Sequence, residues 1–228
     1  MSLRPQAWAL EPGTAMLPST IPIFPLPNVV LFPNVFLPLH IFEPRYRQMV
    51  TDALGGERMI GMVLLQPGHE DDYEGAPPVY EVGCAGLITH VERLNDGNFN
   101  IVLRGLERFR LVGEAEPSAS VLYRRAYIAP LAEANAPERP ELLKSERQKL
   151  EAMLAPLFSG TLAARGLPQQ MPDDELINAL AQYLELEPIE KQALLERDGA
   201  LSRCRSLVEL LEMKALMDKG VGGAGHLH

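Results

Sequence analysis

Few side chains in this chain of 228 residues stand where they could carry out covalent chemistry. Its two cysteines, Cys84 and Cys204, share no CxxC spacing and each lies in an apolar pattern. They read as free, buried thiols in a reducing compartment, not as a disulfide, a metal pair or a nucleophile. His40 and His90 stand among apolar neighbours with no convergent acid or nucleophile, and read as hydrogen-bonded packing residues. The run His69-Glu70-Asp71-Asp72-Tyr73-Glu74-Gly75 could attract a hard cation, but it lacks the spaced Asp/Asn ligands, the glycine and the closing glutamate of a calcium loop. It reads as a solvated loop. None of the five lysines, Lys144, Lys149, Lys191, Lys214 and Lys219, follows a glycine, so no GxxxxGK[ST] phosphate loop is present. HExxH and GxSxG are missing too. The sequence therefore predicts no enzyme, no metal and no cofactor.

The elements are clearer than the chemistry. Residues 21–54 run from two apolar, proline-punctuated extended segments straight into an amphipathic helix. Pro22, Pro25, Pro27, Pro33 and Pro38 cannot donate to a ladder, so these strands are expected to be short, bent or at a sheet edge. Glu43-Pro44 begins the helix, with proline at the first helical position. Tyr46, Met49, Val50, Ala53 and Leu54 form its apolar stripe, and Gly55-Gly56 ends it. Arg58–Gln66 reads as a buried strand and Val79–Leu94 as a long one, with Gly83 and Gly86 marking a bulge or bend. Asn95-Asp96-Gly97-Asn98 is a hairpin turn into Phe99–Arg104. Gly105 permits another bend before Glu107–Glu114, and Ser120–Leu131 supplies the last strand. About six short strands and one helix predict a small, closed or nearly closed barrel.

After residue 131 the hydrophobic period changes from two to about 3.6. The expected organisation is α+β: a flexible segment 1–19, a six-stranded β-barrel with one helix over 20–131, a linker 132–140, an all-α helical bundle over 141–219, and a flexible tail 220–228. Leu143, Leu150, Leu154 and Leu157 stripe the first of these helices, which should end at Ser159-Gly160. Asp173 or Asp174 is expected to cap the second, which places Leu176, Leu180, Tyr183 and Leu184 on one side. Glu187-Pro188 opens the third, and the fourth carries Leu201, Cys204, Val208, Leu211 and Ala215. Apolar residues make up 46% and charged residues 22%, as in ordinary globular proteins, and the net charge of −9 argues against broad binding to nucleic acid or anionic membrane. The first twenty residues lack the continuous apolar stretch of a signal peptide, and the prolines of 21–42 break any membrane span, so a cytoplasmic location is expected.

One resemblance stands out. Pro22-Ile23-Phe24-Pro25-Leu26, Val30-Leu31-Phe32-Pro33, Pro38-Leu39, Ile41-Phe42-Glu43 and Arg45-Tyr46 resemble, in order and spacing, the opening of the N-terminal substrate-binding domain of the Lon protease family. Val63-Leu64-Leu65-Gln66, Tyr80-Glu81-Val82-Gly83-Cys84-Ala85 and Gly105-Leu106-Glu107-Arg108-Phe109-Arg110 continue it. The resemblance implies a PUA-like barrel and a non-catalytic protein that captures unfolded or flexible polypeptide, working with a separate ATPase or protease. Such capture needs exposed apolar side chains beside an open strand edge or groove. Candidates are Phe36, Ile41, Phe42 and Tyr46, with Arg45 as a charged rim.

A second reading stays open beside it. Every cation before residue 144 is arginine, and Arg104, Arg108, Arg110, Arg124 and Arg125 cluster in sequence. On one face they would offer planar donors to RNA, as PUA-like modules of other families do. Ion pairing with Glu107, Glu114 and Glu116 is the plainer account. A partner protein docked on the leucine-rich helices, or self-association through them, is also left open.

Overall fold

The computed structural model describes residues 17–69, 75–131, 140–155 and 171–222. Expectations for most of the N-terminal segment, the centre of the acidic loop, the linker, Leu157, Ser159-Gly160 and the tail beyond 222 fall outside these residues. Among the described residues six strands and five helices follow in the order β1 (Thr20–Leu26), β2 (Phe36–Ile41), α1 (Pro44–Leu54), β3 (Met59–Leu64), β4 (Val82–Arg93), β5 (Phe99–Glu114), β6 (Arg125–Leu131), α2 (Pro140–Leu154), α3 (Asp173–Tyr183), α4 (Pro188–Leu195) and α5 (Gly199–Gly222). The fold is mixed α+β.

The strands form one sheet in the order β2-β5-β4-β3-β1-β6, and β5 pairs with β6 as well. Its length makes this dual pairing feasible. Phe99–Arg104 pairs with β2, whereas Arg108–Glu114 pairs with β6 along the same flank. The hydrogen-bonded circuit β5-β4-β3-β1-β6 thus returns to β5, and β2 hangs outside it as an edge strand. β1 runs parallel to β3, the intervening β2 and α1 supplying the crossover that parallel strands need. Despite its prolines β1 is interior, but its ladders are short on both flanks: Thr20–Pro22 pair with β6 and Ile23–Leu26 with β3.

Two glycines are demanded by close approach. At Gly105 a Cβ would lie 2.0 Å from the carbonyl oxygen of Phe32, where residues 32–34 cross over β5. At Gly83 it would lie 2.5 Å from the carbonyl oxygen of Met62. The ladder between β4 and β5 shifts register between Ala85 and Gly86, leaving Leu106 as an extra residue on β5. Gly97 takes φ +83° in the turn joining them, as the Asp-Gly pair requires.

β3 is buried throughout because both its faces are covered. Inside the circuit, Ile21, Ile23, Met59, Val63, Ala85, Phe109, Ala126 and Ile128 form a small core. A larger core joins Phe24, Phe32, Met62 and Leu103 of the strand region and Tyr46 and Met49 of α1 to Leu143, Leu150, Ile177, Leu194 and Val208 of the later helices. Tyr46, Met49, Val50 and Ala53 of the α1 stripe and the Leu143/Leu150/Leu154 stripe are buried as their spacing predicts, and Leu54 is half-buried. Ala215 is exposed, however, and so is Tyr183. The expected aspartate cap of α3 is absent: Pro172 precedes the first turn, and Asp173 instead ion-pairs with Arg147 of α2. Glu187 and Glu190 form a reciprocal capping box on α4.

Polar side chains fasten the helices to the strands. The Arg108 guanidinium is 1% exposed and donates through Nη1 to the carbonyls of Leu195 (2.9 Å) and Arg197 (2.8 Å). Arg203, also buried, donates to the Leu194 carbonyl at 3.2 Å and to Asn178 Oδ1 at 2.7 Å. These carbonyls lie at and just beyond the C-terminal end of α4, where the regular helical ladder runs out; Leu194 also accepts from the Arg197 N–H at 3.2 Å, and the two guanidiniums supply further donors to this turn. Asn178 Nδ2 donates to the Pro33 carbonyl at 3.1 Å, and the Phe32 N–H donates to Gln182 Oε1 at 3.2 Å. Both cysteines are free and buried, as expected. Burial pushes the Cys204 thiol up to about 12, helped by Glu146 and Asp173.

Candidate functional site

The junction of β2 and α1 opens into a cleft of about 440 Å³. Its walls are Phe24, Leu26 and Pro27 from the end of β1, Leu39 and Ile41 of β2, Tyr46 of α1, and Leu65. His40, Phe42 and Glu43 stand at the β2 side. The lining is mainly apolar because β2 ends at Ile41 and the chain must turn through Phe42-Glu43 before Pro44 begins α1. Tyr46 packs its ring on Phe24, centroids 4.3 Å apart, which fixes the wall.

The candidate residues separate by exposure. Ile41 and Tyr46 are buried, so the expectation that they project into solvent is corrected: they are wall residues, with apolar faces packed in the core. Phe42 is 61% exposed and Phe36 50% exposed, which is unusual for phenylalanine at ordered positions. Phe36 lies at the opposite end of β2 and does not line the cleft. Arg45 is mostly covered, donating to Glu43 at 3.0 Å and lying over the Tyr46 ring at 4.6 Å. It braces the turn and lines no part of the cleft.

β2 links the two exposed phenylalanines. Its burial alternates, with Phe36, Pro38 and His40 outward and Leu37, Leu39 and Ile41 inward, and Phe42 extends the outward row. His40 is therefore a surface residue and not the packing residue its neighbours suggested. Its ring stacks on Phe42 at 6.1 Å, and Nδ1 donates at 2.8 Å to Asn100 Oδ1, whose Nδ2 donates at 2.9 Å to Glu92. His90 is also exposed. At the Phe36 end stands Tyr183 of α3, 66% exposed, its hydroxyl donating at 3.0 Å to the Phe36 carbonyl. Helical spacing placed Tyr183 on a core stripe. Its position as the last residue of α3, where that stripe runs out, is the signal that could have marked it as exposed.

The five arginines do not converge. Arg108 is the core residue of the helix-strand seam, so its assignment to an RNA-binding face is corrected. Arg104 donates to Asn34, Arg110 pairs with Glu81 at 3.3 Å, and Arg124 pairs with Glu114 and donates to the Pro77 carbonyl. Arg125 is half-buried at the start of β6. Among the described residues no cluster of His, Cys, Asp and Glu could hold a metal ion, and no helix is long and apolar enough to cross a membrane.

A sheet that closes on itself through β5, with an apolar cleft at its edge strand and helices packed against the strands, is the frame of the chain. Residues 20–213 match the ATP-dependent protease La (LON) substrate-binding domain, and the chain belongs to that family. It is 34% identical over 170 residues to Lon protease 2 of Sorangium cellulosum, covering 72% of this chain and 19% of that protein. With Lon protease 2 of Myxococcus xanthus it shares 27% identity over 205 residues, or 87% of this chain and 24% of that one. The chain thus spans about a quarter of the length of such relatives. Among solved structures, the N-terminal domain of the Mycobacterium avium complex Lon protease superposes with a TM-score of 0.65 at 19% identity, covering 85% of this chain and 98% of that one. The Lon N-terminal domain protein from Xanthomonas campestris gives 0.59 at 23% identity, covering 83% and 97%. At these identities the two structures establish shared fold.

Proposed function

We propose that this chain captures unfolded or flexible polypeptide at the cleft beside β2 and acts as the recognition module of a proteolytic system. The observation that carries this is the exposure of Phe42 at the mouth of an apolar cleft. Exposed aromatics beside a concave apolar surface cost solubility unless they meet a partner, and extended polypeptide is the partner such a surface suits. Family membership supports the same reading. We read the closed strand circuit as a small PUA-like barrel over 20–131 and the later helices as a helical subdomain over 141–219. No phosphate loop lies within these 228 residues, so ATP-driven unfolding and peptide cleavage are assigned to an ATPase and protease outside them. A cytoplasmic setting fits the free thiols. The arginine reading gains no support, since Arg108 is buried and Arg104, Arg110 and Arg124 are engaged within the chain.

The test is equilibrium binding to a permanently unfolded protein, reduced and carboxymethylated α-lactalbumin, across a salt series. Binding that tolerates salt and falls about tenfold in Phe42→Ser is expected, the loss matching removal of a largely buried aromatic from the complex. A steep salt dependence with no response to Phe42→Ser would sink the proposal.

A further inference from the structure

Resting on that reading, we propose that the polypeptide docks as an added β-strand on the free edge of β2, pairing through the main chain of Pro38 and His40. The directions of the backbone groups carry the inference. The Gly105 N–H donates to the Val35 carbonyl at 2.9 Å, so Val35 faces β5. Main-chain direction alternates along a strand, so Leu37, Leu39 and Ile41 also face β5, in register with Leu103, Ile101 and Phe99. The N–H and C=O groups of Phe36, Pro38 and His40 then point away from the sheet.

Three independent features agree with this phase. Pro38 has no N–H to give, and a strand tolerates proline only where that side faces out. The Phe36 carbonyl is met by the Tyr183 hydroxyl, from outside the ladder. On β5, the Thr89 hydroxyl reaches the Val102 carbonyl from the β4 side, as it must if Val102 faces β4 and its neighbours Ile101 and Leu103 face β2.

The edge therefore offers two donors, the N–H groups of Phe36 and His40, and two acceptors, the carbonyls of Pro38 and His40, the Phe36 carbonyl being taken by Tyr183. No hydrogen bond reaches these groups among the described residues. Tyr183 closes one end of the edge and the turn at Phe42 the other. A strand laid here puts every second side chain on the Leu37/Leu39/Ile41 face, into the cleft beside Phe24, Leu26 and Tyr46. The alternate side chains lie over His40 and Phe42. The occupant is thus a short extended segment with apolar residues at alternate positions. A second folded copy is disfavoured, because an edge of six residues falls far short of the ~800 Å² per partner that a stable dimer buries.

The experiment uses a heptapeptide alternating leucine and threonine, with backbone N-methyl groups placed either on all leucines or on all threonines. N-methylation deletes the N–H and leaves the side chains in place. Antiparallel docking predicts that the threonine-methylated peptide binds about tenfold more weakly while the leucine-methylated peptide stays within about twofold, as loss of one or two backbone bonds implies. The reverse pattern reports parallel docking and equally supports strand addition. Equal effects of both sets overturn strand addition and leave capture by side chains alone. Failure of the unmethylated peptide to bind overturns the capture reading itself. As a check on the protein side, His40→Pro deletes that residue's outward N–H without touching the ladder to β5, whereas His40→Ala keeps it. His40→Pro is expected to cost about tenfold more affinity than His40→Ala, and equal losses would count against the proposal.

Discussion

The seam between β5 and the later helices and the cleft beside β2 use residue types in opposite ways. At the seam a guanidinium is withdrawn from water and met by main-chain carbonyls; at the cleft the Phe42 ring is left largely in water. Both arrangements cost free energy against the usual partition of side chains. At the seam that cost is offset within the chain, because the carbonyls ending α4 need donors and Arg108 and Arg203 supply them. At the cleft the described residues give Phe42 only the stacked His40 ring, which leaves most of it in water. The difference separates structural oddity from functional oddity: a misplaced residue whose partners are internal holds the fold, and one whose partners are missing points outward.

The contrast predicts that seam variants lose stability and cleft variants lose binding. Gly105→Ala should be the most damaging, because the new methyl group meets the Phe32 backbone, which cannot rotate away as a side chain could. We expect a loss of about 4 kcal/mol or more, or failure to fold, read by urea denaturation. Arg108→Met should cost about 3 kcal/mol by leaving the buried Leu195 carbonyl without its side-chain donor and the Arg197 carbonyl with Arg203 alone. The remaining folded protein should bind unfolded substrate unchanged; weaker binding per folded molecule would mean the two regions are coupled. Phe42→Ser should do the reverse, losing about tenfold in affinity with stability altered by no more than about 0.5 kcal/mol. A large stability loss there would turn Phe42 into a packing residue.

The effect confined to the narrowest conditions concerns pH. The Cys204 thiol is raised from 9.0 to about 12 in the folded chain, so above pH 9 the unfolded chain gives up a proton that the folded one keeps. Stability should fall as pH rises from about 9 toward 12, by at most ~1.4 kcal/mol per pH unit from this group. Cys204→Ala should flatten the slope between pH 9 and 10. Above that, Tyr123 contributes in the same direction, since its hydroxyl is raised from 10.0 to about 12 by burial and by Asp52.

Strand and helix positions were legible because period two and period 3.6 survive in the sequence wherever one face is buried. β5 shows where that logic stops. Alternation puts Arg108 and Arg110 on one face, and both look like surface cations. The extra residue at Leu106 and the arrival of α4 make one the most enclosed charge of the strand region and leave the other half exposed. Nothing local to residues 104–110 announces a helix more than eighty positions later. The cleft was legible in part for a related reason. Phe42 and Ile41 are adjacent apolar residues, and only the end of β2, set by pairing with Phe99, decides which one faces water. Tyr183 was missed because its helical stripe predicts burial and the stripe ends one residue too early to provide it.

Pro38 has a consequence for behaviour at high concentration. An unpaired strand edge invites copies of the same protein to stack edge to edge into growing fibres. In an antiparallel pairing of two β2 edges, Pro38 withholds a donor on each side, and Tyr183 already occupies the neighbouring acceptor. A mobile guest strand brings its own full set of donors and suffers much less from this gap. The one residue that weakens the edge as a ladder thereby lets the protein keep that edge uncovered without seeding its own aggregation.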